Sequence, residues 1–130
     1  MASIFTKIIN GEIPCQKILE DEQYFSFLDI NPINPGHTLV IPKQETDYLF
    51  ALDDNILSGL FLFAKKIVPA IEQVISCKRV GVIVAGLEVP HAHVHLIPMG
   101  AEGELTFDRA QRANPQDLAA LAQKIIQHLK

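Results

Sequence analysis

His91-Ala92-His93-Val94-His95-Leu96-Ile97-Pro98 is the stretch from which the fold can be read. Histidine alternates with apolar residues at a period of two, the period of a β-strand, whose successive side chains point to opposite faces. A strand here places His91, His93 and His95 on one surface and packs Ala92, Val94 and Leu96 into a core on the other. Three of the five histidines fall within five positions. That density points to chemistry, because imidazole changes charge near neutral pH and is the commonest metal ligand.

The flanks supply the rest of a sheet. Upstream, Val80-Gly81-Val82-Ile83-Val84 within residues 79–85 is a β-branched run that reads as a buried strand, and Gly86-Leu87-Glu88-Val89-Pro90 turns it into the histidine strand. Before it, Asp53-Asp54-Asn55 caps a long helix with an apolar stripe at Ile56, Leu60, Phe63, Ile67 and Ile71, laid across one face of the sheet. Pro69 is expected to kink or divide that helix, and its phenylalanines read as core. His37 to Pro42 reads as another strand, entered through the constrained loop Asn31-Pro32-Ile33-Asn34-Pro35-Gly36. Lys17–Asp21 and Tyr24–Asp29 form a hairpin, and Ser3 caps a short helix that ends at Gly11. Downstream, Gly100, Gly103 and mixed charges mark a mobile loop as far as Ala113, and Asn114-Pro115 opens a final amphipathic helix. The expectation is an α+β domain: an antiparallel five-stranded sheet, one long helix on one face, and short N- and C-terminal helices.

At 130 residues and 48% hydrophobic, the chain suits a single domain, residues 1–98 being the core and residues 99–130 a loop and helix. Eleven scattered basic residues against fifteen acidic ones, net charge −4, argue against a nucleic-acid polymer as partner but not against a single nucleotide. No apolar stretch suits a signal peptide or a membrane span, so a cytoplasmic protein without a membrane partner is expected. Cys15 and Cys77 form no paired motif and read as ordinary thiols.

Geometry bears on what the histidines do. Same-face neighbours on a strand lie about 6.6 Å apart, so His91 and His95 are separated by roughly 13 Å. Zinc–nitrogen bonds are about 2 Å, so three rings in a row share one ion poorly. Two of them with His37 would do so more easily, and that metal site remains the weaker alternative. A neutral imidazole at His93 suits nucleophilic attack on phosphorus, with the flanking rings donating hydrogen bonds to phosphate oxygens.

The stretch resembles the His-φ-His-φ-His-φ-φ signature of the histidine triad (HIT) family of nucleotide-binding hydrolases and transferases. The similarity extends to residues 4–14, 27–32 and 35–43, and is greatest to the bacterial Hint-like branch. The resemblance implies a homodimer and a purine nucleotide or nucleotidyl conjugate as ligand, with no metal or cofactor. It makes His93 the nucleophile, has His91 and His95 contact phosphate or orient His93, and has His37 support the row. Asp29 would receive the ribose hydroxyls, and Ile4, Phe5, Ile8, Ile13, Phe27 and Ile30 would enclose the base. Glu88 and Val89 fall in the segment that contacts phosphate. The implied activity is hydrolysis of a nucleoside phosphoramidate or nucleotidyl conjugate through a nucleotidyl-histidine; the alternative is a nucleotide sensor with little catalysis.

The chain departs from relatives at several points. Ser3 and Thr6 stand where some carry a zinc-binding cysteine pair. Val80, Leu87 and Glu88 replace an asparagine, a glutamine and a hydroxyl residue that serve the phosphate and leaving group. Each hydrogen bond lost to a charged group costs about 1.5–3 kcal/mol, and Glu88 repels a phosphate unless a cation intervenes.

Overall fold

A computed structural model describes residues 2–129. In chain order it contains α1 (Ile4–Ile9), β1 (Lys17–Glu20), β2 (Tyr24–Leu28), β3 (Thr38–Pro42), α2 (Asp54–Val74), β4 (Arg79–Ile83), β5 (Val94–Met99) and α3 (Pro115–Gln127), with three short 3-10 turns. The five strands form one antiparallel sheet in the order β1-β2-β3-β5-β4. This is the α+β architecture expected from the pattern.

Local chemistry sets the boundaries. The Ser3 hydroxyl accepts from the Thr6 N–H at 3.1 Å and starts α1, and Gly11, at φ +81°, carries the chain away from it. Asp21 Oδ1 accepts from the N–H groups of Gln23 and Tyr24, both at 2.8 Å, which turns β1 into β2. Asn114 Oδ1 accepts from Gln116 and Asp117 ahead of α3, with Pro115 at the first helical position.

The period of two then sorts side chains between two layers. Tyr24, Leu28, Val40, Val94 and Leu96 face α2 and α3, where Leu60, Phe63, Ile67, Ile71, Leu118 and Ile125 complete the main core. Phe25, Phe27, Leu39 and Ile41 point the other way and pack with Phe5 of α1. His95, opposite Leu39 in the β3–β5 register, belongs to this second face. The helix-covered layer provides stability, and the thinner layer under α1 holds the histidines.

Five expectations change. Strand pairing begins at Val94, so His91 and His93 lie in the connection that leads into β5. The β-branched run at β4 is an edge strand, with Val82 49% and Val84 40% exposed; an apolar run reads alike whether it is covered or open at an edge. Helix α2 is not divided at Pro69, which is exposed, so the carbonyl the proline ring leaves unbonded meets water. Among its phenylalanines, Phe63 is core but Phe61 is exposed. Residues 100–113 are anchored. Asn34 Nδ2 donates to the Pro98 carbonyl (2.8 Å) and to Glu104 (3.0 Å), Arg109 donates to Asn34 Oδ1 (2.7 Å), and the Ala113 N–H donates to the Ile30 carbonyl (2.9 Å).

Gly59 on α2 lies directly beneath the Tyr24 ring, whose hydroxyl donates to the Ile56 carbonyl at 2.9 Å. A Cβ at Gly59 collides with that hydroxyl. Glycine to alanine inside a helix ordinarily gains about 1 kcal/mol, but overpacking costs about 1–3 kcal/mol and the lost hydrogen bond about 1 more. Gly59→Ala is therefore expected to lower the melting temperature by roughly 4–11 °C. A melt at or above the wild-type value would show that Tyr24 moves aside freely.

Candidate active site

The site is a cleft of about 590 Å³ lined by Ile4, Phe5, Asp29, Asn31, Leu39, residues 85–89, His93, His95, Phe107 and Ala110. Helix α1 forms one wall, the β4–β5 connection a second, and the 3-10 turn at Phe107–Arg109 a third. Beneath lie the ends of β2, β3 and β5.

Hydrogen bonds determine which nitrogen of each ring carries a proton. His93 Nδ1 is 2.7 Å from the His91 carbonyl oxygen, which only accepts, so Nδ1–H donates and Nε2 of the neutral ring holds a lone pair. His37 Nδ1 accepts from the Ile33 N–H at 2.9 Å, which leaves the proton on Nε2. That proton is donated to His95 Nδ1 at 2.9 Å, so neutral His95 carries its own proton on Nε2. The ring centroids of His93 and His95 are 4.9 Å apart. A lone pair and an N–H donor thus sit side by side on the cleft.

Burial enforces neutrality in the relay. Loss of solvent pushes His37 down to about 4 and His95 down to about 3, the latter aided by the neighbouring histidines. Asp29, with Oδ2 3.5 Å from His37 Nε2, is raised chiefly by its own burial, against the pull of the Asn31 N–H on Oδ1 at 2.8 Å.

Asp29, His37 and His95 place three potential ligand atoms within 4.8 Å of one another. The His37 tautomer opposes a metal there. Its Nε2 bears a proton as long as Ile33 holds Nδ1, and exchanging them would leave the buried Ile33 N–H facing another N–H.

His91 is fully buried and does not line the cleft. Its Nε2–H donates to the Pro42 carbonyl at 2.7 Å, and its Nδ1 accepts from the Ser3 hydroxyl at 2.8 Å. Glu45 fixes that end of α1, accepting from the Ser3 N–H at 2.7 Å and from the Thr6 hydroxyl at 2.5 Å. These two bonds hold its carboxyl down at about 2. His91 is thereby pinned from both sides, and its carbonyl is the acceptor that orients His93.

The residues expected around a base divide into two groups. Ile4 and Phe5 line the cleft, as do Glu88 and Val89. Phe27 is buried beneath Phe5, their ring centroids 5.6 Å apart, and Ile8 packs on the same cluster. Ile13 is half-buried and Ile30 is 46% exposed, neither of them on the cleft. Sequence reasoning missed Phe107, whose ring meets His95 edge-on with centroids 5.0 Å apart. The available signal was that it is the only aromatic residue after Pro98. Leu39, Asn31 and Ala110 were also missed, and nothing in their local pattern distinguishes them from core or loop.

Fold and cleft define a class, the α+β domains that gather imidazoles on one face of an antiparallel sheet. The chain belongs to the HIT family, whose HIT domain model matches residues 10–102. It is 34% identical over 134 residues, covering 100% of both chains, to the adenosine 5′-monophosphoramidase hnt1 of Schizosaccharomyces pombe. An uncharacterized HIT-like protein of Borreliella burgdorferi is 39% identical over 118 residues, 85% of each chain. Among solved structures, a Hit-like protein from Bartonella henselae superposes with a TM-score of 0.86 at 31% identity, over 98% of this chain and 96% of that one.

Proposed function

We propose that the protein hydrolyses a purine nucleoside 5′-phosphoramidate, or a related nucleotidyl conjugate, through a nucleotidyl-His93 intermediate. The observation that carries this reading is the His93 hydrogen bond to the His91 carbonyl, which leaves the Nε2 lone pair for the cleft. Nε2 attacks the α-phosphorus, the P–N bond to the amine breaks, and the leaving nitrogen takes up a proton. Water then attacks the same phosphorus, the P–Nε2 bond breaks, and the nucleoside monophosphate departs. The His95 Nε2–H stabilises charge on the phosphoryl oxygens during both steps. The Asp29 carboxylate receives ribose hydroxyls, and Ile4 and Phe5 lie against the base. The phosphoramidase activity named for the fission-yeast relative supports the substrate class.

The exposed β4 edge, with Val82 and the following Val84, is where a second copy would extend the sheet. No helix among the described residues is long and apolar enough to cross a membrane.

Incubation with adenosine 5′-phosphoramidate tests the activity. AMP and ammonia are expected at a rate unchanged by a chelator, since no step is assigned to a metal. A second reading, a nucleotide sensor, draws on Leu87 and Glu88 in the segment beside the nucleophile. Tight AMP binding without turnover would favour the sensor, and chelator-sensitive turnover would favour a metal enzyme.

A further inference from the structure

The charge inventory of the cleft is one-sided. Among the described residues no lysine or arginine lines it, and its carboxylates are those of Asp29 and Glu88. Asp29 is engaged within its own loop, Oδ1 accepting from Asn31 and Oδ2 lying against His37. Glu88 has neither a hydrogen bond nor an ion pair among the described residues, and it faces the cleft that holds the nucleophile. Such a site works against a polyanionic leaving group, because additional phosphates would meet carboxylates with no side-chain cation to offset them. The neighbouring surface is apolar: Leu87 is 95% exposed at the rim and Phe107 is 47% exposed across the cleft. A free carboxylate in a cleft that Leu87 and Phe107 also line suits an alkyl chain that ends in an ammonium group.

Building on the hydrolase reading, we propose that Glu88 sets leaving-group specificity, selecting conjugates in which the nucleotide is joined to an aliphatic amine bearing a second, unreacted ammonium. The alkyl stem lies along Leu87 and Phe107, and the ammonium pairs with Glu88. Glu88 takes no part in bond breaking. The P–N bond breaks as described above, the departing nitrogen takes up one proton, and the diamine leaves with its second charge unchanged.

Three conjugates of AMP with the same P–N linkage separate charge from chemistry: 1,5-diaminopentane (cationic end), pentylamine (neutral) and 5-aminopentanoate (anionic end). For the wild type, kcat/KM is expected to fall in that order, by about tenfold between the ends at low ionic strength and less at high salt. Glu88→Gln is expected to level the series, and Glu88→Lys to invert it. Ratios taken within each variant cancel any general loss of activity, and a thermal melt confirms that each variant folds. Equal wild-type rates, or a preference that survives Glu88→Gln, would overturn the proposal. If none of the three turns over, the hydrolase reading fails instead. Equilibrium binding of the same conjugates then decides the charge preference, by the same order or its absence.

Discussion

Replacing His93 with alanine is expected to reduce hydrolysis of adenosine 5′-phosphoramidate by at least about 10⁴-fold, because loss of a nucleophile removes the covalent route itself. Among the described residues no other histidine nitrogen on the cleft offers a free lone pair. His95 presents an N–H to the cleft, its other nitrogen being occupied by His37. His91 has both ring nitrogens engaged and is shut away beneath α1. The fold should survive the change. The His93 ring makes one hydrogen bond, to a carbonyl two residues away, and packs edge-on against Phe5 with centroids 5.0 Å apart. Because Asp29, Ile4 and Phe5 remain, AMP binding by calorimetry should stay measurable. Turnover within tenfold of wild type would remove His93 from the role of nucleophile. Loss of turnover together with binding and a lowered melt would instead indicate a structural role.

The second large effect is on stability in acid. His37 and His95 titrate near 6.5 in an unfolded chain but at about 4 and about 3 in the folded one, because both are desolvated. Below pH 6.5 the unfolded state binds protons that the native rings refuse, so stability is full above that pH and declines as it falls. Each unit costs about 1.4 kcal/mol per ring, so the two together remove on the order of 5 kcal/mol by pH 4.5. His91, also lowered by burial, acts in the same direction. Asp29, raised by burial, acts oppositely through its own carboxylate range. A large part of a small domain's stability is thus at stake. Urea unfolding at pH 7, 5.5 and 4.5 measures it, and His95→Asn should show a shallower decline. A loss below about 1 kcal/mol would mean that the rings accept protons in the folded state and that the neutral relay is wrong.

The same burial explains which features were legible in the sequence. Caps at Ser3 and Asn114 act within three residues, and the structure has both. Alternation along residues 91–96 is equally local, and it sorts Ala92, Val94 and Leu96 into the helix-covered core. What could not be read depends on partners remote in the chain. His91 lies behind the cleft because Ser3 and Pro42 meet it there, although it looks the same as His93 in the pattern. Phe107 reaches His95 because Asn34 ties the intervening loop to the loop before β3. Edge and interior strands share a composition, so the exposure of β4 was hidden in a run of valines. The tautomers of His37 and His95 rest on one backbone N–H from Ile33, which no motif records.

Rapid mixing with excess adenosine 5′-phosphoramidate, a denaturing quench at alkaline pH within the first turnover, and intact-mass measurement test the nucleophile directly. The quench must avoid acid, which cleaves the P–N bond of a phosphorylated imidazole. One adenylyl group per chain, mapped by peptide analysis to His93 and absent from His93→Ala, is the expected result. Turnover with no adduct in the wild type or in a slowed His95→Ala variant, or an adduct on any other residue, would contradict a nucleotidyl-His93 intermediate.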